Sequence, residues 1–293
     1  MMTMFTIPKA FKGKMGIMQT NAIRSWTLLR PSCEIILFGN DEGTAETAAR
    51  LGIKHVPDVE CNKYGTPLIS SAFRLAHDIA SHQLMCFINT DIILMSDFLP
   101  AIQRVKEKRF FIVGLRWDLD FNEAINFEDE GWELQLRKVL AERGRPHFYG
   151  GGGDFFIYPR GLMADIPPFA VGRTGWDNWL IYRARALGVP VIDATKAFIN
   201  VHQSHDYSHH PEGTEGVWKG PESVQNVALM GGKDYSFTTE YATDLLTAQG
   251  VKPALSMRHI YFRLRALPVL HPRFHFLLGP FKAFERAVKI IRG

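Results

Sequence analysis

Four places in this 293-residue chain hold side chains whose types and setting could do chemistry. Asn89-Thr90-Asp91 interrupts two apolar runs, 84–88 and 92–95. Four glycines, 150–153, lead into Asp154. Asp177 lies between Trp176 and Trp179. His202, His205, His209 and His210 cluster after an apolar run. A buried, unpaired carboxylate is strongly unfavourable, so Asp91 needs either a compensating partner or a position where a buried strand reaches the surface. A carboxylate and an imidazole together suit a divalent cation. A carboxylate at the start of a helix suits a base, provided it faces a cleft.

Each place also has a plainer reading. Asp91 at a strand end could form an Asx turn. Asp177 in a first helical turn interacts favourably with the helix N-terminus, by about 0.3–1 kcal/mol. The glycine run permits close backbone approach but also suits a simple connector, and it is not a P-loop, since no Gly-Lys-Ser/Thr follows. The histidines have no cysteine nearby to complete a structural zinc site, and a solvated loop would also hold them.

The elements that must position these groups read as alternating strands and helices. Met4 to Ile7 suits a short strand. Met18, Ala22, Ile23, Trp26 and Leu29 then recur at helical spacing until Pro31. The run 33–41 is a second strand. A helix over 44–51 ends at Gly52, and 53–59 is a third strand. Thr66-Pro67 opens a helix that repeats Leu68, Ile69, Ala72, Phe73, Ala76, Ile79 and Ala80 along one face. The stretch 84–95 is then the fourth strand, and 109–115 the fifth. A helix ending near Gly144, a helix over about 176–187 and a strand over 189–194 follow. Such alternation implies a mostly parallel sheet flanked by helices, with ligands beyond the carboxyl ends of the strands. That edge would carry Thr6 to Pro8, Asn40, Asp41, the 62–65 loop and Asn89 to Asp91.

In this order, Asn89-Thr90-Asp91, 150–156, Gly175 to Leu180 and His202 resemble the GT-A class of nucleotide-sugar-dependent glycosyltransferases, over about residues 1–205. The resemblance implies a GT-A, Rossmann-like α/β fold and a sugar moved from a nucleotide diphosphate donor to a hydroxyl acceptor, a glycan or glycolipid. In that class the last Asp of an Asp-x-Asp motif holds a divalent metal on the donor diphosphate. Here Asn89 replaces the first carboxylate, leaving Asp91, with His202, or His205 in its stead, as ligands of manganese or magnesium. Asp177 corresponds to the base, and Asp154 to an acceptor of hydrogen bonds from sugar hydroxyls. Thr6, Pro8, Asn40, Asp41, Lys63, Asn89 and Thr90 are candidates for holding the nucleotide sugar, with Arg116 and Asp118 further candidates.

Composition is that of an ordinary globular protein, 46% apolar and 22% charged. The start lacks the long apolar core of a secretory signal, and no run reaches the roughly 20 apolar residues of a membrane span. Cys33, Cys61 and Cys86 are few and scattered, which favours reduced thiols and a cytoplasmic protein. Net charge is +4, but 258–293 carries eight Lys or Arg against Glu285 alone, so the remainder sums to −3. That basic tail places Phe281, Phe284, Val288 and Ile291 at helical spacing, which suits either an anionic membrane surface at the inner face of a membrane or docking on the protein itself. No nucleic-acid motif accompanies the charge. The expected organisation is a catalytic domain over 1–210 (a nucleotide-sugar half to 115, an acceptor half after it), a loop-rich extension over 211–257, and the basic segment. Two alternatives stand beside a metal-dependent transferase. One is a non-catalytic nucleotide-sugar-binding or membrane-adaptor protein of the same fold. The other is a sugar-1-phosphate nucleotidyltransferase, whose glycine-rich, arginine-bearing signature 5-FTIPKAFKGK-14 does not supply.

Overall fold

The computed structural model describes residues 1–147, 150–204, 213–281 and 283. The first half runs β1 (Met2–Thr6), α1 (Gly13–Thr27), β2 (Glu34–Phe38), α2 (Thr44–Leu51), β3 (Lys54–Val56), α3 (Ile69–Ile79) and β4 (Leu84–Ile88). It continues with β5 (Ile92–Leu94), α4 (Phe98–Ile102), β6 (Phe111–Gly114), β7 (Arg116–Leu119), α5 (Trp132–Arg143), β8 (Arg145–His147) and β9 (Phe155–Pro159). Then come α6 (Trp176–Ala186), β10 (Val191–Asp193), β11 (Asn200–Gln203), α7 (Gly213–Lys219), α8 (Pro221–Leu229), β12 (Asp244–Thr247), β13 (Gly250–Pro253) and α9 (Met257–Leu270).

Nine strands form one sheet in the order β13-β12-β10-β6-β9-β4-β1-β2-β3, parallel except for β9 and β13. The expected α/β class with a mostly parallel sheet flanked by helices is the class observed. Its strands are apolar on both faces, and the alternation divides them between two cores. Phe5, Phe38, Phe87, Phe111 and Phe156 pack with Phe73 of α3 and Leu180 of α6 on one side. Met4, Leu37, Cys86, Ile112 and Phe155 pack with Trp26 of α1 and Phe98 of α4 on the other. Period-two alternation with no polar face is what burial under two helical layers demands.

A second, four-stranded sheet, β5-β11-β7-β8, stands at the edge where the site forms. The stretch 84–95, read as one strand, therefore divides into β4 in the large sheet and β5 in the small one, with Asn89-Thr90-Asp91 at the elbow. Hydrophobicity reports burial but not which sheet a strand joins. Residues 213–253 likewise hold more order than a loop-rich extension: α7, α8 and the β12–β13 hairpin, which completes the large sheet. Cys33, Cys61 and Cys86 are free thiols. Among the described residues no helix is long and apolar enough to cross a membrane.

Candidate active site

A cleft of about 460 Å³ opens where β1, β4 and β6 end, and Thr6, Asn89, Thr90, Asp91, Asp154, Asp177 and His202 all line it. Asp91 is carried there by the elbow after β4. Gln19 and Trp26 of α1 and Gln203 of β11 hold that elbow. Trp26 Nε1 donates to Ile92 O at 2.8 Å, and Gln203 N donates to Asp91 O at 3.1 Å. Thr90 Oγ1 donates to Gln19 Oε1 at 3.0 Å, and Gln19 Nε2 donates to Lys9 O at 2.8 Å. The chain segments leaving β1 and β4 are thus pinned to one another through Gln19.

Sheet register brings the imidazole to the carboxylate. Antiparallel pairing sets His202 beside Ile92, one residue beyond Asp91, and parallel pairing sets it beside Asp118 of β7. His202 Nε2 lies 3.5 Å from Asp91 Oδ2, and its Nδ1 lies 3.0 Å from Asp118 Oδ1. Arg116 continues the chain of charges: its Nε donates to Asp118 Oδ1 at 2.8 Å and its Nη1 to Asp154 Oδ1 at 2.7 Å. Burial alone would depress the imidazole's pKa, but Asp91 and Asp118 outweigh it and push His202 up to about 9. Burial likewise opposes ionisation of Asp118, yet His202 and Arg116 hold its carboxyl well below the usual range. Alternating signs keep these half-buried charges compensated.

Asp177, at the start of α6, has a different setting. It stands against the glycine run. A Cβ on Gly152 would fall inside contact distance of Asp177 Oδ2, and one on Gly153, where φ is +123°, would strike Val113. Only glycine lets the backbone pass so close to the carboxylate. Burial pushes the Asp177 carboxyl up to about 6, with the Asp154 charge adding to the effect and its own and Asn178 backbone N–H groups opposing it. Asp154 is itself 3% exposed; its Oδ1 receives Arg116 and, at 3.4 Å, Asn89 Nδ2, while its Oδ2 has no hydrogen-bond partner among the described residues.

Not every residue named from the sequence lies in this lining. Pro8 is buried, Asn40 and Asp41 are exposed after β2, and Lys63 is exposed with its Nζ 5.1 Å from the Tyr64 ring centroid. His205 falls outside the described residues. The lining also holds residues that the sequence does not single out, among them Lys9, His147, Arg173 and Trp218. Lys9 had a usable signal, because it follows the first strand at the ligand edge. Arg173 had none, since its place is set by a 2.7 Å ion pair with Glu222, far along the chain.

Among the described residues no three His, Cys, Asp or Glu side chains surround one position. Adjacent ligands of an octahedral ion at about 2.1 Å sit about 3 Å apart, near the 3.5 Å between Asp91 Oδ2 and His202 Nε2. Asp118 on the far nitrogen leaves Nε2 facing the cleft, the arrangement usual behind a metal-binding histidine. The residues therefore fit manganese or magnesium held by two protein ligands, with waters and phosphate oxygens completing the shell.

No family model matches this chain, and no curated protein matches it. Solved structures do. The chain is similar to the mannosyltransferase PcManGT from Pyrobaculum calidifontis, in complex with GDP-Man and Mn2+, at 12% identity and TM-score 0.43, over 69% of this chain and 56% of that one. It is similar to glucosyl-3-phosphoglycerate synthase from Mycobacterium tuberculosis, in complex with Mn2+, UDP and phosphoglyceric acid, at 17% identity and TM-score 0.46, over 78% and 76%. It is also similar to S. aureus TarS at 12% identity and TM-score 0.46, over 69% of this chain and 36% of that one.

Proposed function

We propose that this chain is a metal-dependent glycosyltransferase that moves a sugar from a nucleotide diphosphate donor to a hydroxyl of a glycan or glycolipid. The observation that carries the reading is one cleft at the carboxyl edge of a parallel sheet lined by both Asp91–His202 and Asp177, groups in opposite electrostatic states. Asp91 and His202 would hold the manganese or magnesium ion. Such an ion, when bound, neutralises charge that develops on the leaving diphosphate.

The chain's own residues supply the rest. Asp177, with a carboxyl raised to about 6, is ionised at neutral pH yet basic enough to take a proton. It takes the proton of the acceptor hydroxyl as that oxygen bonds to the anomeric carbon and the sugar–phosphate bond breaks, leaving the nucleoside diphosphate. Arg116 and Asn89 fix Asp154 Oδ1, so that Oδ2 remains to accept a hydrogen bond from a sugar hydroxyl. Lys9, lining the cleft beside Asp91, contributes positive charge toward phosphate. Burial pulls its pKa down, partly offset by Asp91. Pro8 shapes the backbone that presents Lys9.

The test is release of nucleoside diphosphate from a panel of sugar nucleotides, with and without manganese. Metal-dependent turnover is expected, and Asp91→Ala is expected to reduce it by about 10²–10³-fold, as loss of one electrostatic group at the reacting centre does. Saturable donor binding with no turnover for any donor and acceptor would instead favour the non-catalytic binding protein.

A further inference from the structure

Helix α8 buries polar side chains where a helix ordinarily buries apolar ones. Glu222, Ser223 and Asn226 lie on one face of it and are 7%, 1% and 1% exposed, while Val224 is 63% exposed. All three are bound to one short loop, 170–174. Asn226 Oδ1 accepts from Ala170 N at 2.9 Å, and its Nδ2 donates to Ala170 O at 3.0 Å. Glu222 Oε2 receives both Nε and Nη2 of Arg173, at 2.8 and 2.7 Å, while its Oε1 accepts from Asn62 Nδ2 at 2.6 Å. Ser223 Oγ accepts from Thr174 N at 3.2 Å and donates to Val217 O at 2.6 Å, and Thr174 Oγ1 donates to Trp218 O at 3.1 Å. Buried polar groups are tolerated when they are satisfied. Here their partners fix a loop that opens α6 and reaches Asp177 three residues later. This clasp is formed by the stretch expected to be loop-rich, and not by the basic tail, of whose Phe281, Phe284, Val288 and Ile291 only Phe281 is among the described residues.

The clasp presents two unlike side chains to the cleft, Arg173 and Trp218, both of which line it. Nε and Nη2 of Arg173 engage Glu222, and Nη1 reaches Gly172 O only at 3.3 Å. Among the described residues that leaves donors of a five-donor planar fork for a second anion. Trp218 is 49% exposed, whereas Trp176, beside Asp177 in the same lining, is 5% exposed and belongs to the core. The indole offered to a ligand is therefore the one on α7, with its backbone held by Thr174.

We infer that Arg173 and Trp218 form an acceptor subsite for a sugar that carries an anionic group, a carboxylate or a phosphate. The inference rests on the transferase reading and narrows its acceptor. A flat indole suits the C–H face of a pyranose ring, and a guanidinium fork suits a carboxylate or phosphate. Position assigns the pair to the acceptor. Arg173 stands four residues before Asp177, the proposed base for the acceptor hydroxyl, and away in sequence from Asp91 and His202, which serve the donor diphosphate. Arg173 also opposes the charge of Lys9, so positive potential extends from the donor side of the cleft to the acceptor side.

Saturation-transfer NMR titration of the full chain with methyl glucoside, methyl glucuronide and glucose 6-phosphate tests the subsite without any donor. Both anionic sugars are expected to bind about tenfold or more tighter than the neutral one, and the tighter of the two identifies the anion. Arg173→Gln should erase that advantage and leave methyl glucoside unchanged. Arg173→Lys keeps a cation against Glu222, so that the clasp stays closed, and should reduce the advantage without erasing it. Trp218→Ala should weaken all three sugars by about threefold to tenfold, with far-UV circular dichroism unchanged. Equal affinity for neutral and anionic sugars, no binding of any of them, an advantage that survives both Arg173 variants, or full affinity in the Trp218 variant would overturn the inference. No sugar nucleotide enters the assay, so such a result leaves the transferase reading standing, and a chain without turnover can still pass it.

Discussion

The two walls of the cleft treat their carboxylates in opposite ways. On the small-sheet wall, Asp91, His202, Asp118, Arg116 and Asp154 alternate in sign at 2.7–3.5 Å, so each charge is met by another. Asp118 is held strongly acidic there. On the α6 wall, Asp177 meets glycine backbone and apolar surface and has no salt-bridge partner among those described, and its carboxyl rises to about 6. A wall of compensated charge can accept a cation at Asp91, with His202 giving up the proton that its flanking carboxylates favour as the ion takes its place. A desolvated carboxylate can accept a proton. The contrast separates the two tasks a metal-dependent transfer requires.

The most direct way to break the comparison is at Asp177. Asp177→Asn keeps the size and removes the base, so kcat is expected to fall by about 10²–10⁴-fold while donor KM changes little. A loss confined to KM would return Asp177 to a positioning role. The pH profile sharpens the point. The ionised form is the active one, so kcat should be level above pH 6 and drop about tenfold per unit below it. A limb near pH 4 would show a carboxyl that burial does not perturb.

Gly152→Ala probes the same wall from the backbone. The added methyl falls against Asp177 Oδ2 and, because neighbouring Gly153 is also packed on Val113, the strand start cannot easily retreat. A displacement of about 1 Å costs about 10²-fold in rate, and that loss is the expected result, measured as kcat at saturating metal. An unchanged rate would mean the loop gives way and the close approach is incidental.

Much of this arrangement is legible in the sequence because the relevant signals are local. The apolar run before Asn89 marks a buried strand, and the ligand-edge rule then places Asp91. The helix over 44–51 is legible to the residue, since Gly52 closes it. Other features are set by contacts that no window contains. Gln19 joins Thr90 across 71 positions, and Asn21 reaches Gln203 across 182. The strands β7, β8 and β11 are three or four residues long, too short for alternation to register. The small sheet, and with it the pairing of His202 with Asp118, therefore has no signal in the sequence, although each residue stands out singly.

That pairing yields the smallest effect and the clearest readout. Asp118 does not line the cleft; it stands behind His202, 3.0 Å from Nδ1, with Arg116 on the same oxygen. If its role is to fix the ring so that Nε2 faces Asp91, then Asp118→Asn should weaken manganese binding by about 10–100-fold. Saturating metal should restore most of the rate, because neither Asp91 nor Asp177 is altered. Manganese titration followed by electron paramagnetic resonance gives the affinity without turnover. Nitrogen-15 NMR of the metal-free imidazole reports the ring nitrogens directly, and a merely structural carboxylate would leave them as in the parent chain. Unchanged affinity together with an unchanged imidazole signature would detach Asp118 from the site, and the compensated wall would then end at Asp91 and His202.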